Sequence, residues 1–429
     1  PGPYRPTVIN DASKDAATDS VTGPHGGGKP LTDDAQDSGS QNSKYASDPG
    51  FVIMADDKPA STHLFIGFDG QTDHLNNVSI AVDPKLTALQ KLSATAEFDG
   101  AVVPPGETRR THDLYLLTGK SCDGLLADHV ERTKKRYGAR LAELRNVFCT
   151  WYFYGPEIIA DDLRKDIAEM KKRPVKFDIF LIDYNWDDLF GDWNADLQRF
   201  PQGMKAMADE IRAAGFTPAI WSCPFLIDAK SEAFKKHPEL ILKDRAGKPL
   251  DFKLSSMGTW YILDPTAPAA EAFLTDIAKK LVGWGYRYLK FDFLRAVTLQ
   301  EDALFHDRTM NRAQAYKRGI DILRKAAGDD VMIGTWGGLF EANAGFVNIN
   351  RPGSDVRGHW DPVGQHGYAT RYPVRMRQTF ARAFYDEKLW TSDQDALMLR
   401  RRDKPWKPGT RHLSLGRYND EETFSNVVY

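Results

Sequence analysis

Cysteine is scarce in this chain. Cys122, Cys149 and Cys223 are the only three among 429 residues, and they lie far apart. An odd number at such spacing excludes a disulfide-stapled scaffold and any CxxC metal site. No HxH or HExxH pattern occurs, so no metal is expected. No GxSxG is present to build a serine nucleophile elbow. No run of 18 apolar residues exists, which excludes a membrane-spanning helix and points to a soluble protein, cytoplasmic or exported. A sustained basic patch is missing too. The formal charge is −2, and the short Arg400–Arg402 run reads as solvated surface, so no nucleic-acid partner is expected. Nor is a cofactor. Gly23–Lys29 matches GxxxxGK, but Pro30 stands where a Ser or Thr would hold magnesium, and no apolar strand precedes it.

What is there suits a large enzyme-like core. The apolar fraction is 41%, and the length fits one α/β barrel plus a second module. Residues 1–50 are rich in Gly, Ser, Asp and Pro and read as an extended, loop-rich segment. Residues 51–120 hold short β-type runs at Phe51–Ala55, His63–Phe68, Val78–Val82, Thr95–Phe98 and His112–Leu117, which suggests part of an antiparallel β-sandwich. Residues 121–144 read as a linker helix with Leu125, Leu126, Val130 and Leu141 on its apolar stripe.

From 145 to 429 apolar strands alternate with helical segments. Strands are expected at Asn146–Tyr152, Phe177–Tyr184, Thr217–Pro224, Tyr286–Phe293, Val331–Thr335, Gly345–Asn350 and Leu389–Ser392. Helices are expected over 157–171, 203–214, 267–284, 309–327 and 371–387, with a helix-like tail at 419–429. This alternation points to a parallel barrel or a doubly wound sheet. Seven strands are legible where a closed barrel needs eight.

In a βα barrel the chemistry sits at the carboxyl ends of the strands. Those ends read Trp151; Asp183-Tyr184; Trp221; Lys290-Phe291-Asp292; Trp336; Arg351 leading to Asp355; and Trp390 leading to Asp393. Lys290 and Asp292 are i and i+2 on one strand, so their side chains share a face. Alone, such a pair is as consistent with a structural ion pair as with a reactive one. A single Trp is likewise as readily core. Trp and Asp recurring together at strand ends fit a sugar site better: aromatic faces stack on sugar C–H faces, and carboxylates accept bonds from adjacent hydroxyls.

Six stretches carry a resemblance. They are Cys149-Thr-Trp-Tyr152, Ile182-Asp183 through Gly191-Asp-Trp193, Phe216-Thr-Pro-Ala-Ile-Trp221, Tyr286-Arg-Tyr-Leu-Lys-Phe-Asp292, Arg351-Pro-Gly-Ser-Asp355 and Trp390-Thr-Ser-Asp-Gln-Asp-Ala-Leu-Met-Leu-Arg400. In this order and spacing, residues 145–400 are similar to the catalytic barrel of family 36 glycoside hydrolases, the α-galactosidase and melibiase group. The resemblance implies an α/β (β/α)8 TIM-type barrel, lacking its last strand in this chain and preceded by part of a β-sandwich. It implies a retaining hydrolase of terminal α-galactosides or related α-glycosides, acting through a covalent glycosyl-Asp intermediate. By the same resemblance Asp292 is the nucleophile and Asp355 the general acid/base. Lys290 and Arg351 orient the nucleophile and sugar hydroxyls, Asp183 grips outer hydroxyls, and Trp151 and Trp221 form pocket walls. On that mechanism Asp292 is expected to be held ionised beside Lys290, with Asp355 the weaker acid.

The chain departs from the family at Tyr184, where relatives carry a second Asp, and at Trp336, which would add bulk near the sugar's 2-position. The sugar therefore stays open among galactose, N-acetylgalactosamine and a pentopyranose, and Asp187 or Asp188 could replace the missing carboxylate. The expected partner is an oligosaccharide or glycoside, with room for a homo-oligomer. Two other functions fit the same residues: a galactosyl transferase of the raffinose-synthase type, and a catalytically silent carbohydrate-binding barrel.

Overall fold

The computed structural model describes residues 43–47, 51–54, 62–82, 89–143, 145–172, 176–254, 258–353, 355 and 379–395. Six strands come first: β1 (Ser43–Ser47), β2 (Phe51–Met54), β3 (His63–Phe68), β4 (Leu75–Val82), β5 (Leu89–Glu97) and β6 (Leu114–Gly119). They form two three-stranded antiparallel sheets, ordered β1-β4-β5 and β2-β3-β6. Alternation along β3 explains how they pack. Ile66 and Phe68 meet Val78 and Ile80 of the other sheet, while Phe65 faces the opposite way onto Leu125. β1 corrects the loop-rich reading of residues 1–50: Ser43–Ser47 pairs with Val78–Val82. A five-residue stretch with little apolar content shows no strand signal of its own, because its partner strand supplies the order.

The helix Cys122–Tyr137 follows, capped by the Ser121 side chain, which accepts a bond from the Gly124 amide at 3.1 Å. Its buried face holds Leu125, His129, Val130 and Thr133. It ends seven residues earlier than expected, at Gly138 with φ of 82°, so Leu141 is exposed and not part of the stripe.

The second module is built on a parallel sheet. Its first strands are β7 (Val147–Cys149), β8 (Ile179–Ile182) and β9 (Thr217–Ser222). β7 stops at Cys149, and Trp151–Tyr154 is a short helix where strand was expected. An excursion without a sequence-level expectation follows β9. It contains β10 (Leu226–Ile227), β11 (Lys243–Asp244), β12 (Asp251–Leu254) and β13 (Gly258–Ile262), with β10, β13 and β12 paired antiparallel. The chain then returns through β14 (Tyr288–Phe291), β15 (Ala303–Leu304), β16 (Met332–Thr335), β17 (Ile349–Asn350) and β18 (Thr391–Ser392). The parallel sheet has seven strands in the order β18-β17-β16-β14-β9-β8-β7. Helices Ala160–Lys172, Gly203–Ala213, Ala270–Gly283 and Arg312–Ala327 alternate with them. The helix expected over 371–387 lies largely outside the described residues, and its described end holds a 3-10 turn at Ala383–Tyr385. The 419–429 tail also lies outside them.

The sheet is curled. Cys149, Ile179, Leu181, Ala219, Tyr288, Met332 and Ile349, from six of its strands, meet in one cluster, which the ends of a flat sheet could not do. Its two edges also approach one another. The Ala142 amide donates to Thr391 Oγ1 at 3.0 Å, that hydroxyl donates back to Ala142 O at 2.8 Å, and the Arg140 amide donates to Leu389 O. Among the described residues no ladder joins β7 to β18 directly. Gly334 shows how tightly the interior is filled, since a Cβ there would lie 2.4 Å from the Tyr288 hydroxyl.

Candidate active site

Strand periodicity puts Lys290 on the inner face of β14, and the curl of the sheet decides what it meets. Its ammonium donates to Asp183 Oδ2 at 2.9 Å, with both side chains nearly buried. Burial opposes the charge, but Asp183 and then Cys149 outweigh it, and the Lys290 pKa is raised well above its usual value. Asp183 is further held by the Tyr184 amide on Oδ1 (2.9 Å) and the Cys149 thiol on Oδ2 (3.5 Å). The ammonium is thus committed across the interior to the end of β8, and not to Asp292 two residues along its own strand.

Asp292 continues the ladder past the end of β14, its amide donating to Ser222 O at 2.9 Å. Its Oδ2 accepts the Trp221 indole N–H at 2.9 Å, and its Oδ1 accepts the Phe293 amide at 2.7 Å. Phe293 is left-handed (φ 53°), a strained setting for an aromatic residue that turns the chain sharply behind the carboxyl. Burial pushes the Asp292 pKa up to about 7. Lys290 and Trp221 pull it down, while Asp355 and Asp183 push it up. Lys290 is thus the strongest group favouring the Asp292 charge, but burial outweighs it, and the lysine's direct bond goes to Asp183.

Arg351, just beyond β17, gathers three carboxylates. Its Nη1 donates to Asp355 Oδ1 at 3.1 Å and lies 2.9 Å from Asp395 Oδ1. Its Nε and Nη2 donate to Asp393 Oδ2 at 3.0 and 2.8 Å. Burial raises the Asp393 pKa, but Arg351 outweighs it and the net shift is downward. Asp355 is 37% exposed where Asp292 is 6%. Asp393 was read from the sequence as a strand-end carboxyl without a role, and Asp395, two residues further past β18, was not singled out.

Aromatic rings line the cluster. Tyr184 packs edge-on against Trp151 (6.1 Å between centroids), Phe190 (5.9 Å) and Trp221 (5.4 Å). Burial and the nearby Asp187 push its phenol up to about 12. Trp336 rests on Phe293 at 5.1 Å and donates its indole N–H to Gly353 O at 3.1 Å, tying the β16 end to the segment that carries Asp355. Phe190 and Trp260, stacked at 4.8 Å, extend the wall. Neither was expected, because Trp260 arrives on the unforeseen β13. Asp183, Tyr184, Trp151, Trp221, Lys290 and Asp292 are thus linked on one side, with Arg351, Asp355 and Trp336 on the other. Phe293 joins the two sides, packing edge-on against both Trp221 and Trp336. Among the described residues no group of three or more His, Cys, Asp or Glu is arranged to hold a metal ion, and no helix is long and apolar enough to cross a membrane.

The chain is similar to known proteins in sequence and fold. The Melibiase family model matches residues 156–327. An α-galactosidase of Escherichia coli is 32% identical over 207 residues, which cover 42% of this chain and 28% of that protein. Alpha-galactosidase Mel36A of Lactobacillus acidophilus is 23% identical over 214 residues, covering 47% of this chain and 27% of that protein. The chain therefore spans just over a quarter of the length of these curated relatives. Among solved structures, the α-galactosidase TtGalA of Thermus thermophilus in complex with stachyose superposes with a TM-score of 0.67 at 24% identity, covering 89% of this chain and 74% of that one. A variant of the GH36 α-galactosidase AgaA of Geobacillus stearothermophilus in complex with 1-deoxygalactonojirimycin superposes at 0.59 and 17% identity, covering 80% and 49%. At these identities the structural likeness speaks to the fold.

Proposed function

We propose that this chain is a GH36 α-galactosidase-like protein, a retaining glycoside hydrolase acting on terminal α-galactosides or closely related α-glycosides. One observation carries the reading. A buried carboxyl, Asp292, oriented by an indole and a backbone amide, stands at one strand end, and a partly exposed carboxyl, Asp355, held by an arginine, follows another. Double displacement needs two such groups, about 5–5.5 Å apart.

In the proposed cycle the Asp292 carboxylate attacks the anomeric carbon and forms a glycosyl ester. The bond from that carbon to the leaving oxygen breaks, and Asp355 gives that oxygen its proton. Asp355 then takes a proton from water, the water oxygen attacks the same carbon, and the ester bond to Asp292 breaks. Arg351 positions Asp355 through its 3.1 Å bond. The Lys290–Asp183 pair presents donors and acceptors to ring hydroxyls, and Trp151, Trp221 and Trp336 supply stacking faces. We read the curled sheet as seven strands of a (β/α)8 barrel, and the two antiparallel sheets as part of a β-sandwich preceding it.

The test is a panel of aryl α-glycosides differing at C2, C4 and C6. Release of the aryl group from the α-galactoside, abolished by Asp292→Asn, is the expected result. No release from any α-glycoside would sink the reading.

A further inference from the structure

Arg351 gathers more negative charge than its one guanidinium neutralises. Asp355, Asp393 and Asp395 all lie within 3.1 Å of its nitrogens. One carboxylate would be enough for a structural clamp at a strand end, and each further one adds repulsion.

The three are held differently. Arg351 Nε and Nη2 both donate to Asp393 Oδ2, at 3.0 and 2.8 Å. Nη1 is left for Asp355 Oδ1 at 3.1 Å and Asp395 Oδ1 at 2.9 Å. A guanidinium is planar and rigid, so a carboxylate that takes one edge of it also fixes where the remaining nitrogen points. Asp393 is itself pinned. Its amide donates to Asn350 O at 2.9 Å, which continues the ladder beside Arg351. Its Oδ1 accepts the Asp395 amide at 2.8 Å, from a residue in a left-handed turn (φ 69°). Burial opposes its charge, but Arg351 and then Lys290 outweigh it, so Asp393 stays a carboxylate while Asp355 exchanges its proton. Asp355 lies four residues past Arg351 and is the most exposed of the three, at 37% against 27% for Asp393 and 3% for Asp395, which makes it the one open to a ligand.

We infer that Asp393 is a positioning residue for the general acid. It locks one edge of Arg351 so that Nη1 holds Asp355 toward the leaving oxygen, an inference that rests on the glycosidase reading. Asp393 touches neither the sugar nor the leaving group in this arrangement and acts only through the arginine.

The leaving group tests it. A methoxide must be protonated as it departs, whereas 2,4-dinitrophenolate leaves without a proton. The full chain, Asp355→Ala, Asp393→Asn and the double variant are compared by kcat/KM on methyl and 2,4-dinitrophenyl α-galactosides. Asp355→Ala should lose far more on the methyl glycoside than on the dinitrophenyl one. Asp393→Asn keeps the shape and drops the charge, and its loss on the methyl glycoside should exceed that on the dinitrophenyl one by about 10-fold or more. The double variant should be no worse than Asp355→Ala alone, because the two residues act as one unit. The ratio of the two substrates within one sample does not depend on how much of it is folded. Asp393→Glu, which keeps the charge but displaces it by one methylene, should show the same asymmetry in smaller measure and serves if the asparagine variant does not fold.

Equal losses on both substrates would make Asp393 a structural residue and overturn the inference, as would no loss, a double variant with additive losses, or unfolding of both Asp393 variants. If Asp355→Ala shows the asymmetry and Asp393→Asn does not, Asp393 alone falls and the glycosidase reading stands. A wild-type chain inert on both glycosides, or an Asp355→Ala without the asymmetry, overturns both.

Discussion

Two buried charge clusters in this molecule are built to opposite standards. The first joins the antiparallel module to the helix Arg312–Ala327. There Arg312 donates from Nε and Nη2 to Asp99 Oδ1 at 2.9 and 2.7 Å, from Nη2 to Glu97 at 2.6 Å, and from Nη1 to Thr298 O at 3.1 Å. Its amide takes the other Asp99 oxygen at 2.9 Å. The Arg312 and Asp99 side chains are each 6% exposed, with Glu97 at the exposed rim, all three guanidinium nitrogens donate, and Asp99, Glu97 and Glu301 hold the arginine pKa above its usual value against burial. The second cluster is the strand-end site. Asp187 Oδ1 and Ser222 Oγ lack partners among the described residues, and Asp292 is poorly neutralised. Buried charge used only to hold elements together must be saturated, or desolvation goes uncompensated. Charge kept for a ligand has to be left incomplete until the ligand arrives, and the fold bears that cost.

Breaking each cluster should therefore have opposite consequences, the largest at Asp292. Asp292→Asn should cost turnover roughly 10⁴-fold or more. It should also stabilise the protein, because the amide carries no charge to bury. The sign follows from the raised pKa. The folded state keeps the Asp292 proton up to about 7, whereas the unfolded chain releases it near 3.8. Wild-type stability contributed by this group is thus present at low pH and is lost as pH rises through that window. The Tm gain of Asp292→Asn should grow between about pH 4 and pH 8; a gain that shrinks over that range would contradict the burial argument. Arg312→Met, by contrast, strips the buried Asp99 side chain of its counter-ion and leaves it only the residue-312 amide. It should cost about 3–5 kcal/mol in urea unfolding while leaving kcat per folded molecule unchanged. A cost under about 1 kcal/mol would put Arg312 with exposed pairs and dissolve the contrast.

The saturated and the incomplete cluster were not equally legible in the sequence. β8, β9, β14 and β16 are short apolar runs buried on both faces, so their existence and their carboxyl-end residues could be read from pattern alone. What pattern cannot hold is which inner side chains meet once the sheet curls. Lys290 and Asp292 are sequence neighbours, yet the lysine bonds Asp183, 107 positions away. The Arg312–Asp99 clamp, 213 positions apart, carried no local signal at all. β1 and the β10–β13 excursion escaped notice for a related reason. Their strands are short, and they are stabilised by partners rather than by their own alternation. Asp187 was visible only as one of two adjacent acids, and its burial, which separates it from Asp188, emerges only in three dimensions.

The smallest expected effect sharpens the contrast inside the site itself. Tyr184 presents a ring and a hydroxyl, and the two can be separated. The ring is wedged among Trp151, Phe190 and Trp221, three contacts that place it as packing for the indole that orients Asp292. The phenol pKa is raised to about 12, so the hydroxyl is neutral at any working pH. Tyr184→Phe preserves the wedge and removes only the hydroxyl. If Tyr184 acts through its ring, kcat/KM on the α-galactoside should fall by less than about 3-fold, below the usual worth of a hydrogen bond. Tyr184→Ala should cost more, because it opens a cavity beside Trp221 and frees the indole from its orientation toward Asp292. A loss in Tyr184→Phe that matches Tyr184→Ala would instead make the phenol a direct sugar contact.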